Sequence, residues 1–309
     1  MTSPRANLTD LAVVLSHLPF YAVLRRYPPE VTVPFLRRAC WHDEVASGRA
    51  ADREAWAASL FAELPAQERE QQQRRLVAYL STRMVDVLFV RLYGGYQGFL
   101  ERHIAIDGRE AWESLKRQYG RAVLVTPHWG PYLAAPGVLR AMGERLAVPI
   151  DAALVPLWEK LGAQLGDDQS RTRYVGIPGP PATARIAARL AEGYSAFVTP
   201  DFNLGRAGGL SVPFMGRELP ATTGPARLAI EGGVPVVPLL LSSDTPLTYR
   251  LAMAEPLYVP GEPADVLALT RRIYAWMDAV VRQDPALWWG WAAYDPRFRG
   301  AGERPEPRM

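Results

Sequence analysis

The chain has 309 residues, 49% of them hydrophobic and 22% charged, which suits one large α/β unit with a core of ordinary size and excludes a disordered chain. A formal net charge of +3 is too small to argue for nucleic acid. Cys40 is the only cysteine, which excludes an intrachain disulfide and a cysteine metal knuckle, and His17, His42, His103 and His128 show no HxxxH or HExxH spacing.

Residues 11–24 (LAVVLSHLPFYAVL) are too short to span a bilayer and are interrupted by His17 and Pro19. They lack the basic start and small-residue cleavage site of a signal peptide. Followed by Arg25 and Arg26, they read either as a helix packed on the body or as one lying in a membrane interface. Residues 52–64 carry Trp56, Leu60 and Leu64 at helical spacing. A longer helix is predicted over 67–92, polar at first and then apolar at Leu76, Leu80, Met84, Val87 and Leu88, with Gly94 and Gly95 as punctuation.

From residue 103 the pattern turns to strands alternating with helices. Strands are predicted over 103–106, 122–125, 148–154, 173–177, 196–199 and 234–241. Helices are predicted over 109–119, 132–142, 158–165, 182–192, 225–231 and 265–281. The runs AVLV and VPVVPLLL suit strands covered on both faces. The expected fold class is therefore α/β, a mostly parallel central sheet flanked by helices, with an N-terminal helical segment. That segment, residues 1–100, is expected to pack on a core of residues 101–295, and residues 296–309 form a flexible tail.

Open α/β sheets bind ligands beyond the carboxyl ends of their strands. His128 falls there, in the turn Thr126-Pro127-His128-Trp129-Gly130 after AVLV. A neutral imidazole at that place can take a proton from a hydroxyl or amine; a histidine merely hydrogen-bonded in its loop has the same local pattern. The sequence around Ser195 lacks the closing glycine of a GxSxG elbow, and there is no GxxxxGK[ST] loop or GxGxxG fingerprint.

The segment VLVTPHWGPY resembles the histidine block of the glycerolipid and lipid A acyltransferase superfamily. Farther on, VTPDFNLGRAGGLSVPFMGRELPATTGPARLAIEGGVPVVPLLL resembles the later blocks of the lipid A (lauroyl/myristoyl) and phosphatidylinositol mannoside acyltransferase branch, and DPALWWGW is similar to its Trp-rich terminus. The resemblance runs over about residues 70–292. It implies an α/β fold, an acyl carrier protein or acyl-CoA thioester as donor, no cofactor, and His128 as the general base that passes the acyl group to a hydroxyl or amine.

Two departures alter what the resemblance implies. The branch carries Asp or Glu five residues after the histidine, where this chain has Leu133. Leucine cannot orient an imidazole or stabilise an imidazolium. Asp151, in the next predicted strand, is the expected substitute if the two strands are adjacent; otherwise it caps a local turn. The branch's basic terminus is replaced by Ala292-Ala293-Tyr294-Asp295-Pro296. That change turns the expected acceptor from lipid A or a phospholipid toward a small polar molecule of specialised metabolism.

Asp201 and Asn203 follow the strand AFVT and are candidate substrate contacts; by resemblance Asp201 belongs to the wall of the site, and locally both suit a turn. Arg206, Arg171 and Arg173 are candidate anion contacts. Thr222, Thr223 and Gly224 open a helix whose free amides can face an anion or simply be capped. Trp129 and Tyr132 are candidate substrate contacts, Tyr132, Leu133 and Leu139 form a stripe that suits either an acyl tunnel or the core, and Trp288, Trp289 and Trp291 suit core packing or an acyl wall. The expected partners are the thioester donor, a small-molecule acceptor and peripheral membrane contact through residues 11–24, in the cytoplasm or on the inner membrane face. A thioesterase and a non-catalytic acyl-carrier or lipid-binding homologue are the competing readings.

Overall fold

The computed structural model describes residues 23–291 apart from 47, 63, 166–168, 178–181 and 202–209. Most of the 11–24 segment, the 296–309 tail, Asn203 and Arg206 lie outside the described residues.

The described chain opens with helices α1 (Pro29–Ala46), α2 (Arg49–Leu60), α3 (Ala66–Tyr93) and α4 (Phe99–His103). Helix α1 escapes a propensity reading because Pro34 and β-branched residues stand inside it. Tertiary contacts override that: Val33 and Leu36 are buried in the larger core cluster. An ion pair fixes the arrangement, since Arg37 of α1 reaches Asp86 of α3 at 2.7 Å, and the Tyr249 hydroxyl donates to the same carboxylate at 2.7 Å. Burial raises the Asp86 pKa while Arg37 opposes the shift.

The α/β part follows as β1 (Ile104–Asp107), α5 (Arg109–Tyr119), β2 (Val123–Val125), a 3₁₀ turn (Tyr132–Ala134), α6 (Ala135–Ala141) and β3 (Leu146–Asp151). Next come α7 (Val155–Leu165), β4 (Thr172–Ile177), α8 (Ala182–Ala191) and β5 (Ser195–Val198). The chain continues through β6 (Leu210–Phe214), β7 (Arg217–Ala221), α9 (Gly224–Gly232), β8 (Val236–Thr245), β9 (Thr248–Met253) and α10 (Val266–Gln283). A short 3₁₀ turn, Pro285–Leu287, precedes the tryptophans.

The main sheet has seven strands in the order β1-β9-β8-β2-β5-β3-β4. All its pairs are parallel except β8 with β9. The strand AVLV shows why helices must cover both faces: Leu124 enters one core cluster, whereas Val123 and Val125 enter the other. Packing is tight where α3 crosses α6. A Cβ on Gly137 would stand 2.6 Å from Val90 Cγ1, so only glycine fits.

The strand order corrects one expectation. The sequence reading required β2 and β3 to be neighbours for Asp151 to approach His128, but β5 lies between them. The strand after AVLV also ends at Asp151 rather than continuing through 154, because residues 152–154 turn into a 3₁₀ helix. The β6–β7 and β8–β9 hairpins were not predicted. No helix among the described residues is long and apolar enough to cross a membrane.

Candidate active site

Two loops meet at the carboxyl end of the sheet because β2 and β5 are hydrogen-bonded neighbours. The pairing extends one step past the strands, where Thr126 N donates to Val198 O at 3.1 Å. One loop then presents His128 and the other Thr199 and Asp201. Gly130 turns the histidine loop with φ of 56° and donates its N–H to Leu287 O at 2.9 Å. That left-handed conformation is open to glycine at little cost.

The Asp201 carboxylate is fully buried and, among the described residues, receives the following donors. His128 Nδ1 donates to Oδ1 at 2.8 Å, His128 N donates to Oδ2 at 2.9 Å, and Trp288 Nε1 donates to Oδ2 at 2.7 Å. An acceptor-only carboxylate on Nδ1 places the ring proton there and leaves Nε2 with a lone pair. The Thr199 hydroxyl lies 3.2 Å from Nε2 and donates to it. The imidazole itself retains 12% side-chain exposure, which opens it to a small reactant.

The surrounding walls are aromatic. Tyr132 stands edge-on to the imidazole with ring centroids 4.8 Å apart, and Trp289 lies at 5.7 Å. Trp289 N donates to His128 O at 2.7 Å, so the Trp-rich segment clamps the histidine loop from outside. The Tyr274 hydroxyl donates to Pro200 O at 2.5 Å and accepts from Thr222 N at 3.0 Å. It thereby ties the Asp201 loop to the start of α9. Burial raises the Tyr274 and Tyr132 pKa values well above the usual phenol range, which keeps both protonated.

The carboxylate that meets His128 is thus Asp201, not Asp151. Asp151 is exposed and accepts from Ala153 N at 2.8 Å, capping its own turn. Arg171 and Arg173 stand elsewhere too. They sit at the start of β4, an edge strand three places from β2, level with the amino ends of the parallel strands and opposite His128. The Trp129 indole is buried and donates to Asp284 O at 2.8 Å, so its polar end is turned into the protein. Leu133 packs against the larger core cluster and Leu139 is buried within it. Thr223 begins α9 with no side-chain cap hydrogen bond. That helix starts at the sheet end where His128 stands.

Thr199, Trp288 and Trp289 were missed as neighbours of the histidine. Thr199 carried a readable signal, being two residues before Asp201 in the block VTPD. The tryptophans were read chiefly as core. Trp288 is indeed 2% exposed, but its N–H serves Asp201.

A sequence model of the bacterial lipid A biosynthesis acyltransferase family matches residues 3–293. No curated protein sequence matches the chain. Because the match takes in the N-terminal helices, the sheet and the Trp-rich segment together, the chain belongs to the bacterial lipid A biosynthesis acyltransferase family and is an acyltransferase.

Proposed function

We propose that the chain moves an acyl group from the thioester of an acyl carrier protein or of coenzyme A to a hydroxyl or amine of a small polar acceptor, with His128 as general base. The observation that carries this reading is the His128–Asp201 contact at 2.8 Å, which leaves Nε2 free of a proton. Asp201 acts through the imidazole as a positioning residue and supplies the negative charge that Leu133 cannot. This dyad favours turnover over the non-catalytic reading.

The acceptor approaches Nε2 in place of the Thr199 hydroxyl. Its oxygen or nitrogen forms a bond to the thioester carbonyl carbon as its proton passes to Nε2. The π pair moves onto the carbonyl oxygen. When the tetrahedral intermediate collapses, the C–S bond breaks and the sulfur leaves with the pair, taking the proton back from His128. No residue is acylated in this sequence.

Family membership supports an acyl donor and a lipid acceptor. The replaced basic terminus is what favours a smaller polar one. Peripheral membrane contact through residues 11–24 belongs to the same proposal. In support, Val23, Tyr27, Val31, Phe35, Trp41 and Val45, on or just before α1, are exposed large apolar side chains. Recovery of the chain in the supernatant after centrifugation with anionic liposomes overturns that part.

Thiol release from acyl carrier and acyl-CoA thioesters, with alcohols and amines offered as acceptors, tests the chemistry. His128→Ala is expected to lower the rate by roughly 10²–10⁴-fold, the usual contribution of a general base. Equal release by both proteins removes His128 from the reaction. Release without an acylated acceptor assigns the site to a hydrolase.

A further inference from the structure

Thr199 stands one residue past β5 and immediately before Pro200. A residue before proline is held to extended backbone, and a β-branched side chain has few χ1 choices, so the place of its hydroxyl is narrowly set. The backbone is pinned on either side. Val198 O accepts from Thr126 N at 3.1 Å, and Pro200 O accepts from the Tyr274 hydroxyl at 2.5 Å. The Thr199 hydroxyl is thereby held 3.2 Å from His128 Nε2.

Hydroxyl, imidazole and carboxylate thus stand in a chain, Thr199 Oγ1 to Nε2 at 3.2 Å and Nδ1 to Asp201 Oδ1 at 2.8 Å. This is the order of a nucleophile, its base and the acid that orients the base, a constellation known by geometry and not by sequence position. Burial grades the three in the same order. Thr199 is half-buried, the imidazole keeps 12% of its exposure, and Asp201 is fully enclosed. A reactant that reaches Nε2 therefore also meets the hydroxyl beside it. In the transfer reaction the small acceptor displaces that hydroxyl from Nε2. With no acceptor bound, the thioester carbonyl meets Thr199 instead.

We infer that Thr199 is an acylation site: without a small acceptor, the chain takes the acyl group of the thioester onto this hydroxyl. This rests on the general-base reading of His128. Thr199 Oγ1 forms a bond to the thioester carbonyl carbon as its proton passes to Nε2, and the π pair moves onto the carbonyl oxygen. On collapse the C–S bond breaks, and the sulfur leaves with the pair and takes the proton from Nε2. The products are a threonine ester and a free thiol, and no further reactant is consumed. Resonance stabilises an oxygen ester more than a thioester, so the exchange runs downhill. The imidazole ends as it began, neutral and with its Nδ1 proton on Asp201. Transfer to the small acceptor does not pass through this ester, because that acceptor takes the hydroxyl's place.

Intact-mass spectrometry of the full chain tests this, after incubation without acceptor with dodecanoyl and hexadecanoyl thioesters of coenzyme A and of acyl carrier protein. Wild type is expected to gain one acyl group and release a matching amount of thiol, with fragmentation placing the ester on Thr199. Thr199→Ser keeps a hydroxyl and is expected to take up the group. Thr199→Val, of nearly the same shape, is expected to take up none. His128→Ala is expected to slow uptake roughly 10²–10⁴-fold. Wild type that passes acyl groups to an acceptor through His128 yet gains no mass overturns the inference and leaves the general base standing. An ester on another residue, or equal uptake by Thr199→Val, also overturns it. Transfer that survives His128→Ala, or wild type that neither transfers nor gains mass, removes the base and this inference together.

Discussion

Asp151 ends β3 and Asp201 follows β5, adjacent strands of one sheet, and both aspartates stand at its carboxyl end. Asp151 is exposed and spends its carboxylate on the second amide after it. Asp201 has no exposure and gathers donors from its own loop's neighbour and from the Trp-rich segment. The difference follows from strand order rather than from residue type. The loop after β5 faces the loop after β2, whereas the loop after β3 is one strand too far. In the proposed mechanism the charge that Leu133 cannot supply comes from across the sheet, from a strand that β2 touches.

The sharpest way to break this contrast is Asp201→Asn. The carbonyl oxygen of the asparagine can still accept from His128 N and Trp288, but its amide then faces Nδ1 as a donor. That forces the ring proton onto Nε2, where the base must be empty. Turnover is expected to fall by about 10³-fold or more while the fold persists. Near-wild-type rates in this variant overturn the role of Asp201.

Trp288→Phe sharpens the same point at smaller scale. It removes one charge-assisted hydrogen bond from a carboxylate that keeps two others, a loss of about 1.5–3 kcal/mol in stability. A looser Asp201 is expected to cost roughly tenfold in kcat, since a positioned base is sensitive to small displacements. A melting curve and a single-turnover rate on one preparation separate the two effects.

These contrasts also mark what the sequence made readable. The apolar run AVLV announced a doubly covered strand, and the helix over 109–119 emerges with the same bounds. The β6–β7 hairpin was hidden by Pro213 and Pro220, which argue against strands in a larger sheet. They are tolerated because β6 and β7 pair only with each other. Its turn did leave a mark, since Met215 and Gly216 adopt φ of 51° and 73° as a two-residue hairpin turn requires. Asp201 was expected in the site wall by resemblance alone, and its contact with His128 depended on strand order, which one sequence does not state.

A third variant tests how the Trp-rich segment is held over the histidine. Asp284 pairs with Arg75 of α3, and its backbone carbonyl accepts the Trp129 indole N–H. Burial raises the Asp284 pKa, with Arg75 opposing the shift. Because the folded value exceeds the unfolded one, the ionised carboxylate costs stability at neutral pH. That cost disappears as the pH falls through the folded pKa. Arg75→Met removes the compensating charge and is expected to destabilise by about 1–2 kcal/mol, discounted because Arg75 is half-exposed. The defect should shrink as the pH falls from neutral toward the ordinary aspartate range, because Asp284, its pKa raised, takes up its proton above that range. Denaturant titrations across that range check this, and a defect independent of pH contradicts it.

The smallest expected effect closes the contrast. Asp151→Asn makes the same chemical change as Asp201→Asn, loss of one charge with shape retained. Asparagine caps a turn about as well as aspartate, so stability should move by only a few tenths of a kcal/mol. Turnover should stay within about twofold, because the side chain is exposed and β5 separates its strand from β2. If Asp151→Asn instead matched the loss in Asp201→Asn, a charge acting from outside the buried network would be governing His128, and strand adjacency would no longer explain which acid replaced the missing one. A near-silent Asp151 beside an indispensable Asp201 would show that burial and hydrogen bonding, rather than the presence of a carboxylate at the right end of a sheet, make an acid useful to a histidine.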